Sequence, residues 1–215
     1  MPYAITICTI CRWYSVESSD TGYVLLAGCE SSVAQNPTPT AVAPLTVKSF
    51  TEFAIPTKLS DPQGITAAPD GSFWFTENGG NKIGRIAVNG TVSEFVLPTP
   101  FSYPGTIVAS SDGSLWFTES GTNKIGHITA SETISEFAIP TSQSFPVWII
   151  AGSNGTLWFT EGVGNKIGHI MASGTMAEFA IPTTNSRPYG IAEGSDGTFW
   201  FTEESSNKIG RITVG

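Results

Sequence analysis

Charge is scarce in this chain of 215 residues: only 13 % are Asp, Glu, Lys or Arg. Ten Lys and Arg against eighteen Asp and Glu leave a formal charge of −8. That excludes the clustered basic surface that nucleic-acid binding requires. No apolar run reaches the roughly 18 residues of a membrane-spanning helix. The three cysteines all precede residue 30, so the main body has no disulfide framework. With 23 glycines and 14 prolines the chain also lacks the composition of a helical protein. What is there is 40 % hydrophobic and 11 % aromatic, enough to bury a core and to confine disorder to local stretches.

The dominant feature is an internal repeat. Trp74, Trp116, Trp158 and Trp200 recur at a constant step of 42 residues, as do Asn81, Asn123, Asn165 and Asn207, each opening an Asn-Lys-Ile-Gly. Glu52, Glu94, Glu136 and Glu178, each followed by Phe, keep the same step, and so do Pro62, Pro104, Pro146 and Pro188. Each unit reads as four short strands. In the first, residues 64–68, 72–77, 82–88 and 91–97 are separated by Pro69-Asp70-Gly71, Asn78-Gly79-Gly80-Asn81 and Asn89-Gly90, where Gly and Asn supply positive φ. Four strands in about 42 residues is the size of a propeller blade. The predicted fold is all-β: four four-stranded propeller blades over residues 48–215, behind a mostly disordered leader and tether at 1–47. The repeated tryptophans, each hiding about 150–250 Å², are expected to pack between blades.

The last unit ends after its third strand, and residues 48–55 read as a lone fourth strand. The expected arrangement is offset closure, with the first segment completing the last blade.

With the units aligned, the consensus is Glu-Phe-x-Ile-Pro-Thr, Pro-x-Gly-Ile, Asp-Gly, Trp-Phe-Thr-Glu and Asn-Lys-Ile-Gly-Arg/His-Ile. It resembles the streptogramin B lyase (virginiamycin B lyase) family over residues 48–215. The resemblance implies a seven-bladed propeller that linearises cyclic depsipeptide antibiotics by Mg-dependent elimination at the ester. It implies catalytic histidines directly after the repeated proline, a carboxylate just before one such proline, and another in Trp-Phe-Thr-Glu.

The chain departs from that pattern twice. The family histidine positions hold Gln63, Gly105, Val147 and Tyr189, and the two histidines, His127 and His169, stand where other units carry Arg85 and Arg211. The acidic part persists as Asp61 and Glu77, the candidate ligands for Mg, but Gln63 cannot abstract a proton. The second departure is blade number. Blades of a seven-fold ring meet at about 51°, whereas a four-fold ring needs about 90°. A strained four-blade disc, an eight-blade ring of two chains and an open arc all remain; the single chain is preferred over the homodimer because the missing strand is available in cis.

Glu77, Glu119, Glu161 and Glu203 read either as a cation-binding ring or as partners of Lys82, Lys124, Lys166 and Lys208 across their hairpins, the latter being expected. Cys8 and Cys11 form a lone Cys-x-x-Cys with no second pair for zinc. Leu26-Ala27-Gly28-Cys29 matches a bacterial lipobox, ahead of a Ser/Pro/Thr/Ala-rich tether at 31–44. The expected location is therefore extracytoplasmic, with a lipid anchor at Cys29.

The functional expectation is a streptogramin-lyase-like propeller without the lyase reaction, acting as an exported module that binds an unidentified ligand or partner. Gln63, Trp148 and Tyr189 are the ligand-facing candidates; Trp148 replaces the Gly of Pro-x-Gly-Ile. The alternative is an active Mg-dependent carbon–oxygen lyase on streptogramin B antibiotics, with Asp61 and Glu77 holding the ion.

Overall fold

A computed structural model describes residues 12–16, 24–28, 48–153 and 155–213. The chain divides into two compact units, Met1–Phe50 and Thr51–Gly215. In the first, Arg12–Val16 (β1) and Val24–Gly28 (β2) form an antiparallel hairpin, with Arg12 opposite Gly28. These two strands lie within the leader that the sequence reads as mostly disordered, where β-branched and aromatic residues favour extended chain. Cys8, Cys11, Cys29 and the tether lie outside the described residues.

The second unit is a succession of antiparallel meanders. Blade 1 is Pro62–Ala67 (β3), Phe73–Glu77 (β4), Lys82–Ile86 (β5) and Val92–Val96 (β6). Blade 2 is Pro104–Ala109 (β7), Leu115–Glu119 (β8), Lys124–Ile128 (β9) and Ile134–Ala138 (β10). Blade 3 is Pro146–Ala151 (β11), Leu157–Glu161 (β12), Lys166–Ile170 (β13) and Met176–Ala180 (β14). Blade 4 is Pro188–Glu193 (β15), Phe199–Glu203 (β16) and Lys208–Ile212 (β17). The described residues contain no helix.

The repeated motif explains each blade. Asn81, Asn123, Asn165 and Asn207 have φ between 53° and 59°, left-handed values that Asn tolerates in a hairpin turn. The Gly of Asn-Lys-Ile-Gly lies under the Phe of Trp-Phe-Thr-Glu: a Cβ on Gly84 would sit 2.0 Å from the Phe75 ring. Only glycine lets that ring lie flat on the neighbouring strand.

The cores lie between blades, as the tryptophan pattern predicts. Trp74, Ile83 and Leu97 of blade 1 meet Ile107, Leu115 and Phe117 of blade 2. Trp116 and Trp158 repeat this against blades 3 and 4. Asn side chains lock the connections: Asn81 donates to the Thr99 carbonyl (3.0 Å) and accepts from the Ser102 amide (2.7 Å), and Asn123 and Asn165 repeat the bracket.

The expected closure does not occur. Residues 48–55 carry no strand, and blade 4 has three strands. Trp200, at 44 % exposure against 1–5 % for its three counterparts, has no blade over it among the described residues. Ile65 and Phe73 are likewise exposed on blade 1. The interface between blades repeats one fixed packing, and three repetitions do not return blade 4 to blade 1. The second unit is an open arc of propeller blades.

Candidate functional site

The inner strands β3, β7, β11 and β15 stand side by side along the arc. Each opens with a break in register between the repeated proline and the following Ile, as between Pro146 and Ile149. Such bulges re-aim side chains. The two residues in each break are Gln63 and Gly64, Gly105 and Thr106, Val147 and Trp148, and Tyr189 and Gly190.

Buried threonines of Trp-Phe-Thr-Glu fix these breaks. Thr76 Oγ1 accepts from the Gly64 amide (2.9 Å) and donates to the Gly105 carbonyl of the next blade (2.6 Å). Thr160 accepts from the Trp148 amide (3.1 Å) and donates to the Tyr189 carbonyl (2.7 Å). Each threonine therefore ties its own inner strand to its neighbour's.

The result is a cleft of about 690 Å³ whose walls include Gln63, Tyr103, Phe145, Trp148 and Tyr189. The Trp148 and Tyr189 rings are 6.1 Å apart at 48°. Gln63 Nε2 donates to Asp61 Oδ2 at 3.3 Å. The three ligand-facing candidates thus share one concave surface with Gly105 and Val147. Tyr103 and Phe145 were not among the residues singled out in the sequence. Their signal was present: they precede the repeated proline, in the same column as Asp61. Asp61, Tyr103, Phe145 and Arg187 all adopt positive φ, 48–54°, a strained backbone for non-glycine residues; of the four, Tyr103 and Phe145 line the cleft.

The histidines are elsewhere. His127 stacks on Trp116 at 4.2 Å and His169 packs on Trp158 at 4.8 Å. Arg85 and Arg211 take the same position over Trp74 and Trp200, each 5.4 Å from the ring centre. All four cap a tryptophan, and burial lowers the pKa of both histidines.

The glutamates of Trp-Phe-Thr-Glu do not pair across their hairpins as expected. Lys82, Lys124 and Lys166 bind Glu94, Glu136 and Glu178 instead, at 2.6–2.9 Å, and a threonine from the preceding connection joins each pair, as Thr99 joins Glu136. The outer-strand glutamates accept several hydrogen bonds while keeping an exposed edge, so the lysines go to them. Burial opposes ionisation there, but the lysine and threonine bonds prevail and hold Glu94, Glu136 and Glu178 below the ordinary carboxylate range. Glu77, Glu119 and Glu161 are fully buried. Among the described residues, both carboxyl oxygens of Glu77 and of Glu161 lack a hydrogen-bond partner. Burial, then the neighbouring Glu94 or Glu178, pushes each up to about 7, against the pull of Lys82 or Lys166. Burial also raises Glu119.

Asp61 and Glu77 lie on neighbouring positions, since Pro62 pairs with Glu77 in register. The charges acting on Glu77 are Glu94 and Lys82, and Asp61 is exposed on its loop. Among the described residues no group of three His, Cys, Asp or Glu side chains comes together.

Comparison with known proteins agrees with the motif. The model of the virginiamycin B lyase family matches residues 38–215. A catalytically inactive virginiamycin B lyase from Staphylococcus aureus, solved with quinupristin, is 50 % identical over 77 % of this chain, with a TM-score of 0.74. A streptogramin B lyase structure is 45 % identical over 77 %, with a TM-score of 0.75. Virginiamycin B lyase from Bacillus licheniformis is 42 % identical over 43 residues, 20 % of this chain and 15 % of that protein. The chain spans 56 % and 55 % of the two solved proteins. It belongs to the virginiamycin B lyase family.

Proposed function

We propose that this chain is a streptogramin-lyase-like binding module that holds an aromatic or apolar ring-containing ligand in the cleft and does not perform the elimination. The observation that carries this reading is the cleft wall. Gln63, Gly105, Val147 and Tyr189 supply no imidazole, and His127 and His169 are held against tryptophans between blades. Proton abstraction needs a base within reach of the substrate, and the amide of Gln63 is not one. Tyr103, Phe145, Trp148 and Tyr189 offer instead flat faces and two phenolic hydroxyls, the composition of a recognition surface. Mg is not required for this role.

Quinupristin, which the staphylococcal relative was solved with, is the probe. Titration with tryptophan fluorescence is expected to give saturable binding. Trp148→Ala is expected to weaken it by about tenfold, the loss of one aromatic contact worth about 1–1.5 kcal/mol. No linear product is expected by chromatography, with or without Mg. Protein-dependent linearisation abolished by EDTA would establish the lyase instead; no binding to well-folded protein would remove this ligand class.

We also place the module outside the cytoplasmic membrane, anchored through Cys29, on the strength of Leu26-Ala27-Gly28-Cys29. Incorporation of labelled palmitate in a bacterial host, lost in Cys29→Ser, is the expected result.

A further inference from the structure

We infer that Glu161 and Glu77 are proton-binding sites coupled to the cleft: each holds one proton between its own carboxyl and that of an outer-strand glutamate, and release of that proton loosens the connection that carries the cleft wall. The effect on a ligand rests on the cleft being a binding site; the proton sites themselves do not.

Glu161 ends β12 and is fully buried. The charged groups that face it are Glu178 on β14 and Lys166 on β13. The lysine is already committed to Glu178, at 2.9 Å. Glu178 is committed too: its oxygens accept from the Thr141 amide (2.9 Å), the Thr141 hydroxyl (3.0 Å) and Lys166. Glu178 is therefore the ionised member, and it stands within hydrogen-bonding reach of Glu161. Two carboxylates bring no hydrogen to such a contact. A proton on Glu161 makes it a donor to Glu178 and removes the second charge. The arrangement recurs at Glu77, which faces Glu94 and Lys82, with Glu94 held by Thr57 and Lys82.

The repeat contains its own comparison. The third residue after each glutamate is Gly80, Thr122, Gly164 and Ser206 in turn. In blade 2 the Thr122 hydroxyl donates to Glu119 Oε2 at 3.0 Å, and in blade 4 Ser206 donates to Glu203 Oε2 at 2.9 Å. Glycine at 80 and 164 supplies no hydroxyl. Among the described residues Glu77 and Glu161 have no donor on either oxygen, whereas Glu119 lacks one only on Oε1. A buried ionised carboxylate without donors is costly, so a proton takes the place that the hydroxyl fills in the other blades.

Each proton site lies under a connection that leads into the cleft wall. The Ser144 carbonyl accepts from the Val163 and Gly164 amides (2.9 and 3.0 Å), and the Phe145 carbonyl from the Gly162 amide (3.0 Å). The turn after Glu161 is thus bound to one end of residues 141–145, while Glu178 holds the other end at Thr141. This connection has no charged side chain, and Phe145 is part of the cleft wall. In blade 1 the Ser60 carbonyl accepts from the Gly79 and Gly80 amides (3.0 and 3.2 Å), Glu94 holds Thr57, and Gln63 follows in the wall. The charges on that connection, Lys58 and Asp61, are exposed. Loss of the proton sets two negative charges against each other in a closed space. Glu178 yields, because its edge is the exposed one, and Thr141 moves with it. Ligand binding is therefore tighter below about pH 7 and weaker as pH rises through that value.

Hydrogen exchange at the Thr141 amide, corrected for the intrinsic pH dependence of exchange, tests this without a ligand. Protection is expected to fall about tenfold between about pH 6 and about pH 8.5 in the wild type. It is expected to stay constant in Glu161→Gln, whose side-chain amide donates to Glu178 at every pH. Gly80→Thr places in blade 1 the hydroxyl that Thr122 supplies in blade 2, and its Cβ comes no closer than 3.1 Å to a neighbour; it is expected to move the corresponding fall at the Thr57 amide to lower pH. Quinupristin, titrated by tryptophan fluorescence over the same range, is expected to bind about five- to tenfold more weakly at the alkaline end, with a flat profile when Glu77→Gln and Glu161→Gln are combined. Constant protection of Thr141 in the wild type, or the same fall in Glu161→Gln, would overturn the proton sites. A fall in protection with pH-independent quinupristin affinity would overturn their coupling to the cleft. Absence of quinupristin binding would remove that ligand and leave the exchange result to decide.

Discussion

Glu161 gives a direct test of how this fold handles buried charge. The perturbation is Glu161→Gln, which keeps the shape and removes the titration. In the folded chain the group is raised from 4.5 to about 7, so the folded state binds the proton more tightly than the unfolded one. Stability from this group is thus complete below about pH 4.5 and is lost as pH rises through about 7. At 1.36 kcal/mol per pKa unit the loss by pH 8 is about 3 kcal/mol. Glu161→Gln is expected to gain roughly that amount at pH 8 and nothing at pH 4.5, where the glutamate is already neutral. Urea unfolding at the two pH values, followed by tryptophan fluorescence, measures it. Glu136 and Glu178 act oppositely: depressed when folded, they add stability above their unfolded pKa that is lost on acidification. Together the two sets predict a stability maximum on the acid side of neutrality. An equal effect of Glu161→Gln at both pH values, or a destabilisation at pH 8, would refute the assignment of a proton-holding carboxyl to the space between β12 and Glu178.

Gly126→Ala is expected to destabilise by about 2–3 kcal/mol through overpacking, because its Cβ would lie 2.1 Å from the Phe117 ring; denaturant midpoints measure it, with Gly155→Ala, which has no heavy atom within 4 Å of the added carbon but φ of 77°, costing about 1 kcal/mol. Lys124→Met leaves Glu136 at 9 % side-chain exposure without its cation, and a loss of about 3 kcal/mol at pH 7 that shrinks as pH falls below 4.5 is expected. Thr160→Val removes the tie between the Trp148 amide and the Tyr189 carbonyl; it is expected to cost about 1–2 kcal/mol in stability and to weaken quinupristin binding in the same fluorescence titration.

Much of the site was legible because repeat arithmetic converts sequence columns into places. Residues after the repeated proline are neighbours in space, so Gln63 and Tyr189 fall on one surface. The column before that proline holds a carboxylate only at Asp61, and the aromatic character of Tyr103 and Phe145 there becomes meaningful only once the inner strands stand side by side. The lysine partners are not legible in the motif for a related reason. Lys82 and Glu77 are opposite in register, and sequence distance favours the hairpin pair. The choice of Glu94 depends on Thr57, 37 residues away from it, which adds two hydrogen bonds to that carboxylate.

The sequence alone determined the blade: strand order, the Asn turns, the Gly beneath each Phe, and the burial of Trp74, Trp116 and Trp158. These follow from local conformation and a periodic apolar pattern, and both can be read along the chain. It also settled that no histidine occupies the cleft column. Only the tertiary structure decided that blades 1 and 4 do not meet within the described residues. Closure depends on the angle accumulated over successive blade interfaces, a property of side-chain packing summed over the whole arc. The ionisation of Glu77 and Glu161 was likewise decided in three dimensions, since burial and the charge of a second carboxylate come from strands that the spacing of one motif does not specify.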